Sequence, residues 1–277
     1  MTDTKRDRTF KLATTSFIVP DDIIPNVEKL GPYFEEIELL VFESVPEDVI
    51  PSKRVVKRLK DLSQQHDLTY NIHLPVDVNP AHPVKAAREK AVETVLKIVD
   101  RFSLLSVSTH TLHLPMPEKA WTGDRGTDRL ISWQQDAADG LESLVNALPE
   151  QGIITVETLD YPFELALPLI RRFGLNVCID VGHQIKYGYD LFKTYDTLEP
   201  ETELIHLHGV DLADSLKKDH QGLDALPGDT LSRIRGMLDG FSGGVSLEVF
   251  NLEALNRSLA VLSNWYADVP SFIKIND

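Results

Sequence analysis

The chain has 277 residues, of which 42% are hydrophobic and 26% charged, with a net charge of −15 and one cysteine. That composition fits a soluble globular protein with a sizeable core, read as one domain over residues 1–277, and it leaves no stretch long and uncharged enough to span a bilayer. The acidity disfavours long nucleic acid, whose binders gain affinity by neutralising phosphates, and the lone Cys178 excludes an internal disulfide or a cysteine-based metal cluster.

The N-terminus, MTDTKRDRTF, is polar and lacks an apolar targeting segment, so cytoplasmic residence is expected. Buried strands are then expected at Phe10–Thr15, Ile37–Phe42, Leu68–Leu74, Val107–Leu114, Ile153–Thr158, Val177–Val181, Leu204–His208 and Val245–Val249. Helical spacing separates them. Pro51-Ser-Lys-Arg opens a helix ending near Gln65, with Pro51 at its first position. Val84, Ala87, Ala91, Val95, Ile98 and Phe102 form an apolar stripe, as do Leu130, Trp133, Ala137, Leu141, Leu144 and Leu148, and the four leucines from Leu252 to Leu262. Between them, Pro115 to Asp128 is a long loop and a candidate lid. The weakest helix falls in Tyr187–Thr202. Strand followed by helix, eight times over in this length, predicts a closed (β/α)₈ TIM barrel. No G-x-G-x-x-G follows the first strand, which lowers a dinucleotide-binding fold.

Barrel chemistry sits where the strands end, because the loops that follow them converge there. Six consecutive strands finish on ionisable groups: His73, His113, Glu157, Asp180 with His183, His206 with His208, and Glu248. Alternation places Asn71 with His73, Thr111 with His113, Thr155 with Glu157, Cys178 with Asp180, and Ser246 with Glu248, while Ile72, Leu112, Val156, Ile179 and Leu247 face the other way. One face is thus small and polar, as expected of a barrel interior around a metal. Any one of these residues alone reads as a hydrogen-bonded structural group or a helix cap. Together they point to a metal centre, with Gly182 permitting a turn that brings His183 back over Asp180. Imidazole and carboxylate suit zinc, manganese or iron, and leave the number of divalent ions open. Asp219 and His220 are candidates to return from the loop after the seventh strand, and are equally readable as solvated residues. His66, His82 and His110 read as structural or exposed, and Cys178 as an inert buried thiol.

Glu157, Asp180, a strand-seven histidine and Glu248 resemble the four-ligand site of the xylose-isomerase-like barrel superfamily, which includes sugar epimerases and the endonuclease IV group. The resemblance covers the whole chain. In the epimerases the two glutamates also act as acid and base. In the endonuclease group, extra histidines on strands three and four and an Asp/His pair after strand seven complete a multi-metal centre, and His73, His113 and the Asp219/His220 pair resemble those additions. The endonuclease pattern separates that pair by one residue; here the two are adjacent.

Longer stretches, TSFIVPDDIIPNV, IELLVFES, YNIHLPVD, VETLDYPFEL, VCIDVGHQIKYGYDL, IHLHGV and VSLEVF, resemble the cobamide-remodelling phosphodiesterases, with Thr158 standing where that pattern has Asn. The resemblance implies hydrolysis of the phosphodiester in the nucleotide loop of a corrinoid. It implies Glu157, Asp180, His208 and Glu248 as core ligands, His208 being preferred to the deeper His206, and His73, His113, His183 and His220 around a further metal or the phosphate. Glu157 or Glu248 is the candidate base, with His183 beside it. A corrinoid needs a wide pocket, for which Tyr161, Tyr187, Tyr189, Phe163 and Trp121 are candidate walls. The alternative is a one-metal sugar or polyol isomerase or epimerase of the same superfamily; a corrinoid-binding module without activity is a third class. No nucleic-acid or membrane partner is expected.

Overall fold

The expected rhythm closes on itself. The structure, a computed structural model, describes residues 7–45, 50–117, 120–121, 126–149, 153–213 and 215–275. Its strands are β1 (Lys11–Thr15), β2 (Glu36–Leu40), β3 (Thr69–His73), β4 (Val107–Leu112), β5 (Ile154–Glu157), β6 (Asn176–Asp180), β7 (Thr202–Leu207), β8 (Gly209–Asp211), β9 (Lys218–Gln221) and β10 (Gly244–Leu247). All but β8 and β9 pair in parallel, each with its neighbour, and the ring is shut by β1 against β10 from Lys11↔Gly244 to Thr14↔Leu247. The helices are α1 (Ile23–Leu30), α2 (Lys53–His66), α3 (Lys85–Phe102), α4 (Gly126–Ala147), α5 (Leu167–Phe173), α6 (Val181–Tyr187), α7 (Leu191–Leu198), α8 (Gly228–Leu238) and α9 (Leu252–Leu262). None of the described helices is long and apolar enough to cross a membrane.

Two different surfaces of each strand are buried, for different reasons. Outward residues such as Ile37, Leu39, Ile72, Val156, Ile179 and Leu247 join the helix stripes in one apolar cluster. Each fully buried Leu or Ile there contributes about 1.5–3 kcal/mol. Many of the inward residues are polar, and near the floor some of them pair with one another. Near the barrel floor Glu36 accepts from Asn71 Nδ2 at 2.9 Å and from Thr69 Oγ1 at 2.8 Å, and the Thr111 and Thr155 hydroxyls meet at 3.2 Å.

The structure corrects several local expectations. Pro51 lies outside α2; Ser52 is the cap, its hydroxyl accepting from Val55 N and so satisfying a donor that the first turn leaves without a partner. The weak sixth segment resolves into two short helices, α6 and α7, each begun by an Asp cap, Asp180 and Asp190. The antiparallel hairpin β8–β9 has no counterpart among the expected elements, because its strands are three and four residues long and mostly polar. In the long loop from Pro115, residues 118–119 and 122–125 lie outside the described residues, so its role as a lid rests on the sequence alone.

Candidate metal centre

Parallel register brings the ionisable ends to one level. His73 on β3 is beside Thr111 of β4, Thr111 beside Thr155, and Asp180 on β6 pairs with His206 on β7. Glu157, at the tip of β5, is the hub. Its Oε2 lies 2.9 Å from His113 Nε2, 3.3 Å from His73 Nε2 and 3.6 Å from His206 Nδ1, and its Oε1 lies 3.1 Å from His183 Nδ1. Asp180 caps α6 by accepting from His183 N at 2.6 Å and stands 3.1 Å from both His183 Nδ1 and His208 Nε2. Thr158 fixes it from behind, its hydroxyl accepting from Asp180 N at 2.9 Å. Glu248 completes the ring, 3.4 Å from His206 Nδ1 and 3.7 Å from His220 Nδ1.

One carboxylate of this constellation escapes the strand-end pattern. Glu38 sits in mid-strand on β2, fully buried, 3.0 Å from His206 Nε2, with the Ser246 hydroxyl donating to its other oxygen. The alternation Glu36-Ile37-Glu38-Leu39 was its signal, since a buried strand rarely carries two acids on one face unless they are paired.

Glycine at 182 serves space rather than a turn. Gly182 is helical, and a Cβ there would stand 1.8 Å from His208 Cε1. A side chain would therefore displace the imidazole. His220 reaches the centre through a left-handed backbone, φ 51°, rarely adopted by a residue with a side chain and a mark of an imposed conformation. Its ring stacks 4.3 Å from that of His208, and its own N–H donates to His208 Nδ1 at 3.0 Å. Both nitrogens of His208 are thus engaged, Nε2 by Asp180.

His206 differs. Its two nitrogens, Oε1 of Glu38 and Oε2 of Glu248 are buried without an aligned hydrogen bond, although they lie within contact distance of one another. Buried polar atoms left unaligned in this way suit an ion that their donor set would hold. Donor atoms within 4.8 Å of one another form the groups His73/His113/Glu157, Glu157/Asp180/His206, His183/Asp219/His220, His208/His220/Glu248 and Glu38/His73/His206.

The electrostatics follow from burial and proximity. Burial alone would raise Glu157, but His113, His183 and His73 hold it well below the usual carboxylate range. Asp180 is likewise lowered by His183 and His208. Glu248 goes the other way, raised well above its ordinary value by burial and by the nearby carboxylates, chiefly Asp180 and Glu157. Burial opposes the imidazolium of His183, yet Asp180 and Glu157 push it up to about 10. Burial lowers His220 to about 4. His206 is raised by Glu38 and Glu248 against its burial; the adjacent Cys178 thiol, pushed up by burial, is uncharged near neutrality and adds no charge of its own.

Comparison with known proteins places the fold. The profile of the xylose isomerase-like TIM barrel family matches residues 24–265. The chain belongs to that family. A probable endonuclease 4 of Natronomonas pharaonis is 29% identical over 153 residues, 52% of this chain and 54% of its own length, so the chain spans about half of that relative. Among solved structures, the IOLI protein with a bound zinc atom superposes with a TM-score of 0.69 at 15% identity, covering 93% of this chain and all of its own. The 3-keto-D-glucoside 4-epimerase YcjR from E. coli gives 0.67 at 12% identity, covering 92% and 97%. At such identities the two structures speak to the fold alone.

Within this xylose isomerase-like barrel, His73, His113, Glu157, Asp180, His183, His208, His220 and Glu248 are all brought to one mouth, with Asp219 beside His183 and His220 and ion-paired to Lys186. Of the candidate aromatic walls, some lie in the core. Tyr161 is fully buried, its hydroxyl donating to Leu114 O at 2.9 Å between Trp133 and Phe163, so it is a core residue and no wall. Phe163 is buried as well, and Trp121 packs near Tyr161. Tyr187 is exposed with its ring 6.0 Å from His183, whereas the Tyr189 hydroxyl is tied to Asp160 O. His110 Nδ1 donates to Ile153 O away from the centre, and Cys178 is buried, both structural as expected.

Proposed function

We propose that the protein is a metal-dependent phosphodiesterase that hydrolyses the phosphodiester in the nucleotide loop of a corrinoid. The observation that carries the multi-metal part is the convergence of His73 and His113 on the same Glu157 that also faces Asp180 and His206. A one-metal sugar epimerase has no need of that pair. His73, His113 and Glu157 would hold one ion, and Glu157, Asp180, His206 and Glu248 another. His183, Asp219 and His220 are suited to a third. His206 is favoured over His208 because the latter already spends both nitrogens on Asp180 and His220.

Divalent cations, when bound, lower the pKa of an attacking water toward about 7 and clamp the attacking and leaving oxygens. The chain's residues do the rest. Glu157 is held by three imidazoles, which leaves Glu248, with its unaligned Oε2, as the group to take the proton of the attacking water. The water oxygen bonds to phosphorus, the bond to the leaving alcohol oxygen breaks, and that oxygen takes up a proton from solvent at the cavity, which His183 lines.

Metal analysis of the protein as purified, joined to mass spectrometry of a cobamide incubated with it under zinc, manganese or iron, tests the proposal. The expected product is a corrinoid fragment that has lost its nucleoside portion. An intact cobamide under every metal overturns it. If His73→Ala/His113→Ala leaves metal content and turnover of the wild type, the one-metal isomerase or epimerase reading replaces it.

A further inference from the structure

The cavity over the metal centre is too small for the whole of the proposed substrate. It measures about 160 Å³, room for a phosphate and its ester oxygens, whereas pockets for drug-sized ligands run to about 300–1,000 Å³. A corrinoid is larger still, so most of it must rest on the rim. The cavity wall indicates where. Leu40 and Phe42, which line the metal cavity, also line a second hollow of about 280 Å³ that reaches Phe17 and Ile23. The two adjoin at the wall that Leu40 and Phe42 share.

Three phenylalanines form its crest. Phe17 follows β1, Phe42 follows β2 and Phe250 follows β10, three neighbouring strands of the barrel. Their centroids lie 5.2, 6.5 and 6.3 Å apart with steeply inclined planes, so each ring braces the others edge to face. Yet Phe17 is 42% and Phe42 45% exposed, and Val76 across the cavity is 50% exposed. A contiguous apolar patch of this kind beside a site marks a ligand or partner surface. Phe250 ties the patch to the metal-facing residues, its ring 4.6 Å from that of His220.

We infer that the Phe17–Phe42–Phe250 crest is the seat of the substrate's flat macrocycle, holding its apolar face while the phosphodiester hangs into the metal cavity. The inference rests on the reading given under Proposed function. Shape and charge both favour this occupant. A corrin ring presents a broad apolar face with amide groups at its edge, and the second hollow carries the carboxylates of Asp21, Asp22 and Glu43, which accept from amide N–H and repel phosphate. The phosphate end is thereby turned toward the metal side.

Cobinamide, which has the ring and its amides but no nucleotide loop, separates ring seating from catalysis. Its binding to the wild type and to Phe17→Ala/Phe42→Ala is measured by titration calorimetry, with metal content and thermal midpoint recorded for both. The double variant is expected to bind cobinamide at least tenfold more weakly. Its loss in kcat/KM on a cobamide is expected to exceed its loss on bis(4-nitrophenyl) phosphate by tenfold or more, mostly in KM. Equal affinity of the two proteins for cobinamide, no binding by the wild type, or equal losses on both esters would each overturn the seat. A wild type that binds cobinamide and leaves a cobamide intact ends the hydrolase reading and supports the seat.

Discussion

The mouth of the barrel has two arcs built on opposite principles. From β3 round to β7, joined by Glu248, the strand tips carry imidazole and carboxylate groups that are nearly all buried and contact one another. From β10 through β1 to β2 the residues just past the strands are phenylalanines, two of them more than 40% exposed, touching one another rather than a core. The first arc needs preorganisation, because each ligand must be held before an ion arrives. The second needs open surface. The difference separates groups that act on the reacting atoms from groups that position the remainder of a large molecule.

The largest effect is expected from the hub of the first arc. Glu157→Gln removes the charge that three imidazoles face, and should cost metal occupancy and lower kcat/KM on the order of 10³-fold or more. Metal analysis beside kinetics checks it. A variant that keeps its metal and its rate would move the centre away from Glu157 and break the division into arcs.

Next comes proton linkage. Without metal, burial opposes the His183 imidazolium but Asp180 and Glu157 hold its pKa at about 10, so it bears a proton at pH 7, and burial with the nearby carboxylates shifts Glu248 well above its ordinary value, toward its protonated form. A cation displaces those protons. Uptake should therefore release protons and affinity should strengthen as pH rises, by about tenfold per pH unit for each proton released. Calorimetry in buffers of different ionisation enthalpy counts them; uptake without proton release would contradict the environment derived for these two groups.

A smaller effect belongs to the floor of the same arc. Glu38→Gln keeps the volume but removes the charge facing His206 and the Ser246 hydroxyl, and supports of metal-binding histidines are typically worth about 10–100-fold in affinity. The expected loss sits near the lower end, because Gln still accepts from Ser246. Unchanged affinity would show that His206 needs no orientation from below.

Legibility in the sequence followed the same division. Barrel closure and the ligand arc could be read because strand parity and position at a strand tip are periodic signals: His73, His113, Glu157, Asp180 and Glu248 each end a run of buried strand. Glu38 was overlooked because it lies in mid-strand, where an acid reads as a boundary rather than as an inward group. The second arc was opaque for another reason. Phe17 and Phe250 stand beyond the expected strands, where alternation no longer dictates direction, and Phe42 was read as the end of a buried strand although β2 stops at Leu40, so nothing marked it as exposed. Tyr161 was misjudged on the same ground, since only packing reveals that its ring is enclosed.

That misjudgement supplies the mildest test of the comparison. The Tyr161 hydroxyl donates to Leu114 O inside the core, so Tyr161→Phe leaves that carbonyl short of a partner and should cost about 1–3 kcal/mol of stability. For a domain of this size that corresponds to a fall of roughly 2–4 °C in thermal midpoint per kcal/mol, read by calorimetry. Its KM for a cobamide should stay at the wild-type value, because the ring faces Trp133 and Phe163 and no substrate surface. Phe17→Ala/Phe42→Ala should show the reverse, a raised KM with little change in midpoint, since exposed rings add little to folding. If Tyr161→Phe raised KM while the phenylalanine pair left it alone, the aromatic roles assigned here would be exchanged.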